Sequence, residues 1–348
     1  METCVSENPG GPARPDGFER PGGGPAAEVP CGGRKFGRVL VTGAAGFVGR
    51  HLVRELAGAG HGVACIDAVP PEAAADLPDY ERVDLRDAAA VRSAVARFAP
   101  DAVVHLAAVS FVPDAASDPG LLWAVNIGGV VNVAEAILSE CPKARMLFVS
   151  SAQVYGTAAK EGGDVLYTEE SPLMPISLYA VSKAADEAFV RGCHASRGLD
   201  AVIARPGNHT GPGQSPKFVA ISFARQLLDV ATGKSSGPIR VGNLDSVRDF
   251  SDVRDVVRAY RLMLEKGRSG AVYNVSSGTV VTIGELFERL RRICGVDAHP
   301  VRDDAFWRPT DRCTALCTDA LRRDTGWKPS ISLDQTLIDI LASLTDRA

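Results

Sequence analysis

Aromatic residues are scarce, 6% of 348 positions, and no run of about 18 apolar residues stands out as a membrane span. Neither sign of charge dominates: 38 Lys and Arg face 42 Asp and Glu, a formal charge of −4. That balance argues against the broad basic footprint of a nucleic-acid or anionic-membrane binder and leaves only a local basic cleft open. Eight cysteines do not make a disulfide scaffold in a chain of this length, and the six histidines show no metal-ligand spacing. Cys313 and Cys317 are spaced like half of a metal site, but no second Cys/His pair accompanies them, so no metal is expected. The start, METCVSENPGG, lacks the basic-then-apolar order of a secretory signal. The expectation is a cytoplasmic protein with reduced thiols.

What is present is an ordinary globular composition, 45% hydrophobic and 23% charged, in a chain with room for two domains. Residues 1–35 stand apart, with eight Gly, six Pro and no periodic apolar face, and read as a disordered tail. From Arg38 onward, short apolar runs alternate with helical stretches: RVLVTG, GVACID, YERVDL, AVVHLAA, RMLFVSS and DAVIARP. Near-continuous apolar strands separated by helices predict an α/β fold, a doubly wound parallel (Rossmann) sheet covered on both faces. The expected nucleotide domain spans residues 36–206, with a return segment near 244–268. The mixed stretch 207–348 reads mainly as a smaller α/β substrate domain, with strands at PIRVGN and AVYNVSS.

The first strand runs into Gly43-Ala44-Ala45-Gly46-Phe47-Val48-Gly49 and then a helix. Gly43 permits the tight turn, Gly46 lets backbone amides approach a pyrophosphate, and Gly49 lets the helix sit close to the strand. The helix amino terminus then offers unpaired amides and a positive dipole end to the phosphates. Asp67 ends the second strand 24 residues after Gly43, near the spacing for a carboxylate that holds the adenosine ribose. No cation occupies Ala68, Val69 or Pro70, so NAD(H) is favoured and NADP(H) is the open alternative. Asp84 and Leu85, closing the third strand, either reach the adenine or are an ordinary strand end.

Tyr179 and Lys183 lie four apart in SLYAVSKAADEAFV and share a helix face. A neighbouring cation can lower a phenol from near 10 by about 1–3 pH units, toward useful proton exchange at neutral pH. Lys183 would also hold the nicotinamide ribose. Ser151, at the end of the fifth strand and 28 residues before Tyr179, can hydrogen-bond the substrate oxygen whose charge changes as hydride moves. Gly233-Lys234-Ser235 ends like a phosphate-binding P-loop, but Leu228 stands where that motif needs glycine.

Taken together, these motifs resemble the extended short-chain dehydrogenase/reductase family, in its nucleotide-sugar branch, over about residues 37–345. They are TGAAGFVG, HLAA at 105–108, Asn126 in VNIGGVVNVAEA, SSAQVYG, SPLMPISLYAVSK, RPGNHTGPGQ, VRDFSDVRDVV, RPTD at 308–311 and GWKP. Within that branch, NHTGPGQSP followed by VGNLDSVRDFSDVRDVV is most similar to GDP-4-keto-6-deoxy-mannose reductases. The resemblance implies cofactor contacts at Phe47, Val48, Leu106 and Ala107 besides the residues above. It implies nucleotide-sugar contacts, GDP-linked above all, at Ser110, Gln153, Asn208, Lys217, Arg248 and Arg308, and it implies a homodimer. Arg248 and Arg308 suit a diphosphate through paired charged hydrogen bonds, or else form surface ion pairs.

Gln153 separates the activities of the family. Its 4,6-dehydratases carry a glutamate two residues after the catalytic Ser/Thr, to remove the C5 proton; an amide lacks that basicity, and losing a general base costs about 10²–10⁴ in rate. Reduction at C4 needs only Ser151, Tyr179, Lys183 and the nicotinamide. An epimerase uses the same residues and is the chief alternative. A dinucleotide-sensing regulator would have no use for the Ser–Tyr–Lys set. Val109, where many relatives are polar, and Gly207, where an aromatic is usual, are expected to change the pocket around the sugar.

Overall fold

Seven strands hydrogen-bond into one sheet, and every pairing in it is parallel. The computed structural model describes residues 33–156, 166–307 and 315–345. The expected tail, up to residue 32, lies outside the described residues, as do Arg308 and Cys313. The strands are β1 (Arg38–Thr42), β2 (Gly62–Asp67), β3 (Tyr80–Arg82), β4 (Ala102–His105), β5 (Arg145–Val149), β6 (Ala201–Pro206) and β7 (Val272–Val275). Their order is β7-β6-β5-β4-β1-β2-β3, the doubly wound arrangement expected from the sequence. The strand order reverses at β1, which opens a crevice at the carboxyl ends of β1 and β4.

Alternating side chains supply two cores. Val39, Val41, Cys65, Val104, Leu147 and Val202 face one way and bury Leu52 and Leu56 of α1 (Phe47–Gly58) with Val256, Tyr260 and Met263 of α6 (Val253–Lys266). Leu40, Ile66, Val103, Met146, Phe148 and Ile203 face the other way, toward α2 (Ala88–Phe98), α3 (Gly129–Glu140) and α4 (Leu178–Arg197). A side chain such as Leu52, wholly buried, contributes about 1.5–3 kcal/mol by leaving water. Against expectation, the continuous helical stretch Pro119–Glu140 is long and apolar enough to pass for a membrane span. Its apolarity has a local cause: Val130, Val133, Ala134, Ala136 and Ile137 pack onto the sheet and α2.

After β6 the chain builds a third core from α5 (Val219–Ala231), α7 (Ile283–Cys294) and α8 (Leu333–Thr345), with Ile239, Val241 and Phe250. A Thr282/Glu285 capping box starts α7 and left-handed Gly295 ends it. The chain crosses back more than once. Helix α6 packs on α1, and β7, which the sequence placed with the smaller domain, pairs with β6 from Val272–Ile203 to Val275–Pro206. The strand read over 80–85 ends at Arg82, because Asp84 turns back to receive the Arg86 side chain and amide.

Candidate active site

The turn after β1 is built for close approach. Gly43 has φ +68°, and a Cβ there would lie 2.8 Å from the Ala107 amide nitrogen; at Gly49 it would lie 2.3 Å from the Gly43 carbonyl oxygen. Gly46 precedes helix α1 with no side-chain cap, and the first turn has no acidic residue, so the helix amino terminus is open to an anion. These features fit a dinucleotide pyrophosphate. Phe47 meets His51 edge-on at 5.5 Å and stacks against His209 at 6.3 Å, tying α1 to the loop after β6. Val48 is half-buried beside them.

Asp67 closes β2 with one carboxylate oxygen accepting from Ala45 N (3.0 Å) and the other from Ala68 N (2.7 Å). Sequence reasoning looked for cations only in the three residues that follow it. Register across the sheet places Arg82 opposite Asp67, with Nε on the Ala68 carbonyl at 3.0 Å. Asp84 is held down to about 2 by hydrogen bonds from Arg86, and Leu85 is buried with its carbonyl accepting from Asn132. Leu106 N and Ala107 N bond Thr42 through its carbonyl and hydroxyl oxygens, which fixes the floor of the crevice.

The groups expected to react stand at the carboxyl end of β5. Ser150 and Ser151 follow that strand and point to different partners. Ser150 Oγ is spent on Glu187 (2.5 Å). Ser151 caps the short turn Ala152–Tyr155 by accepting from Gln153 N (3.2 Å), and its side chain acts on the Tyr179 phenol. Tyr179 lies on the first turn of α4, which Ser177 caps through the Ala180 amide at 3.1 Å. One turn on, Lys183 is 2% exposed; its Nζ donates to the Val149 carbonyl (2.9 Å) and lies 5.0 Å from the Phe148 ring centre.

Burial pushes the Tyr179 phenol up to about 12, with the Ser151 side chain acting downward and the Asp186 carboxylate upward. This direction is the reverse of the lowering expected from Lys183. The cause is geometric: desolvation dominates the phenol, and the ammonium is engaged with β5. Burial also lowers Lys183, against the pull of Asp186 and Glu187. His105, wholly buried with Nδ1 on the Thr42 hydroxyl (3.1 Å), is pushed down to about 3 by burial first and Lys183 second, so the imidazole is neutral.

Asn126 was part of a motif but not placed in the site by sequence reasoning. Its Oδ1 accepts from Val109 N (2.8 Å) and its Nδ2 donates to Ser182 Oγ (2.9 Å), which in turn donates to the Tyr179 carbonyl (2.8 Å). It sits in a single π-helical turn, Ala124–Gly128, which swings the amide inward. The amide therefore ties the loop after β4 to the helix that carries Tyr179.

The residues expected to touch the sugar nucleotide occupy several segments. Ser110 and Gln153 are exposed. Lys217 Nζ stands 5.1 Å from the Phe111 ring, and Phe111 meets Phe218 edge-on, so the Ser110 loop and the start of α5 face each other. The Asn208 carbonyl accepts from Ser251 N (2.9 Å), and Arg248, half-buried, donates to the Val247 carbonyl (2.8 Å). A Cβ at Gly207 would meet Val275, Leu316 and Asp249 at ordinary contact distances. A cavity of about 340 Å³ is lined by Pro216, Ser222, Arg225, Gln226, Arg240 and Phe306; of these six only Pro216 falls in a motif of the sequence, at the end of NHTGPGQSP.

A family model described as the NAD dependent epimerase/dehydratase family matches residues 39–276. The chain is 38% identical to a GDP-6-deoxy-D-mannose reductase of Pseudomonas aeruginosa over 89% of its own length and 98% of the relative's. Among solved structures it is similar to RMD from Pseudomonas aeruginosa complexed with NADPH, with TM-score 0.79 and 36% identity, covering 89% of this chain and 99% of that one. It is also similar to the Thermus thermophilus UDP-glucose 4-epimerase complexed with NAD, with TM-score 0.78 and 30% identity, covering 89% and 100%. The expected fold, family and enzymatic character are all borne out. With its glycine cradle and Ser–Tyr–Lys residues, the chain belongs to the NAD dependent epimerase/dehydratase family, the extended short-chain dehydrogenases/reductases.

Proposed function

We propose that the protein reduces the C4 ketone of a nucleoside-diphosphate 4-keto-6-deoxy sugar, GDP-4-keto-6-deoxy-D-mannose above all, to the corresponding GDP-6-deoxyhexose. The observation that carries this reading is the placing of Ser151, at the end of β5, within reach of the Tyr179 phenol and beside an amide, Gln153, where a dehydratase needs a base. When bound, the reduced nicotinamide supplies the hydride. Tyr179 donates its phenolic proton to the C4 oxygen as charge collects there, and the Ser151 hydroxyl holds that oxygen in place. A phenol raised to about 12 stays protonated at neutral pH, which suits a proton donor. Lys183 holds the ribose and keeps a positive charge behind the developing anion.

Asp67 favours NADH, because a carboxylate at the ribose edge repels a 2′-phosphate; Arg82, opposite it, keeps NADPH in play. Asn208, Lys217, Arg248 and Arg308 take the diphosphate, and the cavity between Arg225, Arg240 and Phe306 suits the base. The reading includes a cytoplasmic location and a homodimer; for the latter, Leu121, Trp123 and Leu178 are exposed apolar side chains open to a second copy. Epimerisation at C4 is the second reading, favoured by similarity to the UDP-glucose 4-epimerase. It asks Tyr179 to act first as a base, whereas a phenol raised to about 12 is protonated at neutral pH.

The test is to incubate purified protein with GDP-4-keto-6-deoxy-D-mannose and NADH or NADPH. Cofactor oxidation with a new C4 hydroxyl is expected. No oxidation, together with tightly retained NAD and exchange of C4 epimers in a finished nucleotide sugar, would establish the epimerase instead.

A further inference from the structure

We propose that Asp186 is a positioning residue for Lys183: its buried carboxylate is the counter-charge that keeps the ammonium in place and cationic behind the reaction site. This assignment rests on the oxidoreductase reading above and deepens it.

Three side-chain atoms among the described residues are buried without any hydrogen-bond partner, and two of them are the carboxylate oxygens of Asp186; the third is His105 Nε2. A carboxyl group stripped of water and of hydrogen bonds is costly, so a buried one with no structural bond to make needs an electrostatic account. Asp186 is 1% exposed. It follows Lys183 by three residues and Tyr179 by seven on α4, so all three lie along one buried helical face.

The neighbouring acid cannot do this work. Glu187 receives Arg205 through Nε (3.0 and 3.1 Å) and Nη2 (2.6 Å), and it also receives the Ser150 hydroxyl. Its charge is matched. Lys183, by contrast, has a backbone carbonyl and an aromatic face but no carboxylate in contact, and a buried cation needs a negative charge nearby. Arg205 and Lys183 bring two positive charges into this interior, and Glu187 and Asp186 bring two negative ones. Ionised Asp186 makes the set neutral.

The charged groups facing Asp186 from its own helix are Lys183 and Glu187. From the elements packed against α4, β6 contributes Arg205, taken by Glu187, and β4 contributes neutral His105, which faces Lys183. Helix α3 contributes Glu135, paired with Arg197 at the far end of α4. The absence of a direct Lys183–Asp186 contact leaves the ammonium free to bond a ribose while its charge is still balanced. The carboxylate acts upward on both Lys183 and Tyr179, which places its effect on the alkaline side of the activity profile.

The experiment compares wild-type protein with Asp186→Asn and Asp186→Glu, from pH 5 to pH 10, by two readouts. One is kcat for the 4-keto sugar; the other is NADH affinity, read from the cofactor's own fluorescence, which needs no sugar. Removing the charge is expected to move the alkaline limb of both profiles about one pH unit lower, with KM for the sugar nearly unchanged, and Asp186→Glu should restore part of the shift. Should Asp186→Asn fail to fold, Asp186→Ser carries the same comparison. Superimposable profiles, or an equal loss of activity at every pH, would make Asp186 a packing residue and overturn the proposal. A shifted NADH profile without turnover of the sugar would uphold the proposal while removing the proposed substrate. If the wild-type protein bound no NADH at all, the reading of the site and this assignment would fall together.

Discussion

Asn126 joins the reaction helix to the crevice floor: its side-chain amide donates to the Ser182 hydroxyl at 2.9 Å while its oxygen receives the Val109 amide at 2.8 Å. Both contacts are lost in Asn126→Leu, which leaves the Val109 N–H without its acceptor, while the Ser182 hydroxyl keeps its bond to the Tyr179 carbonyl. An orphaned polar group costs about 1–3 kcal/mol, so urea unfolding should show a destabilisation in that range or somewhat above it. The kcat value should fall by more than cofactor affinity does, since Tyr179 moves while the glycine turn stays.

Gly49→Ala tests the turn itself. The new methyl would lie 2.3 Å from the Gly43 carbonyl oxygen and 2.6 Å from the Ala44 oxygen, both backbone, so the helix must back away. Overpacking of this kind costs about 1–3 kcal/mol. NADH binding measured by fluorescence should weaken about tenfold or more, with the fold retained by circular dichroism.

Cofactor choice should turn on two residues facing each other across β2 and β3. Asp67→Asn removes the repulsion of a 2′-phosphate, and Arg82→Ala removes the guanidinium that would receive one. We expect the ratio of NADPH to NADH affinity to rise about tenfold in the first variant and to fall in the second. Calorimetric titration with each cofactor reads this directly.

Asp186 also predicts a pH-dependent stability. Burial raises its carboxyl to about 6 in the folded chain, above the unfolded value near 3.8. The folded state therefore pays for the ionised form at pH above 6, and the penalty fades as pH falls from 6 toward 4. Asp186→Asn should gain up to about 3 kcal/mol at pH 7.5 and almost nothing at pH 4, measured by denaturant unfolding at both. A gain at pH 7.5 joined to an altered activity profile would separate a functional burial from a structural one.

Much of the architecture is legible along the chain because its strands are unbroken apolar runs. The runs GVACID and AVIARP coincide with β2 and β6, and the glycine turn announces its own helix. What is not legible depends on partners distant in sequence. Strand β7 looks like part of a second domain until its pairing with β6 is seen. Arg82 is invisible to a search along the residues after Asp67, because it arrives by sheet register. The role of Asn126 depends on a backbone amide 17 positions earlier, and that of Asp186 on helix phase and on Glu187 being already engaged. The direction of the Tyr179 shift also escaped sequence reasoning: spacing shows that a lysine is near, but not that burial outweighs it.

The central claim is that Tyr179 protonates the C4 oxygen of a nucleotide 4-keto sugar. Stopped-flow oxidation of NADH by GDP-4-keto-6-deoxy-D-mannose, comparing wild type with Tyr179→Phe at equal cofactor occupancy, tests it most directly. The account predicts rapid oxidation by the wild type and a loss of about 10²–10⁴ in the variant, with NADH affinity little changed. Equal rates in the two proteins would contradict it.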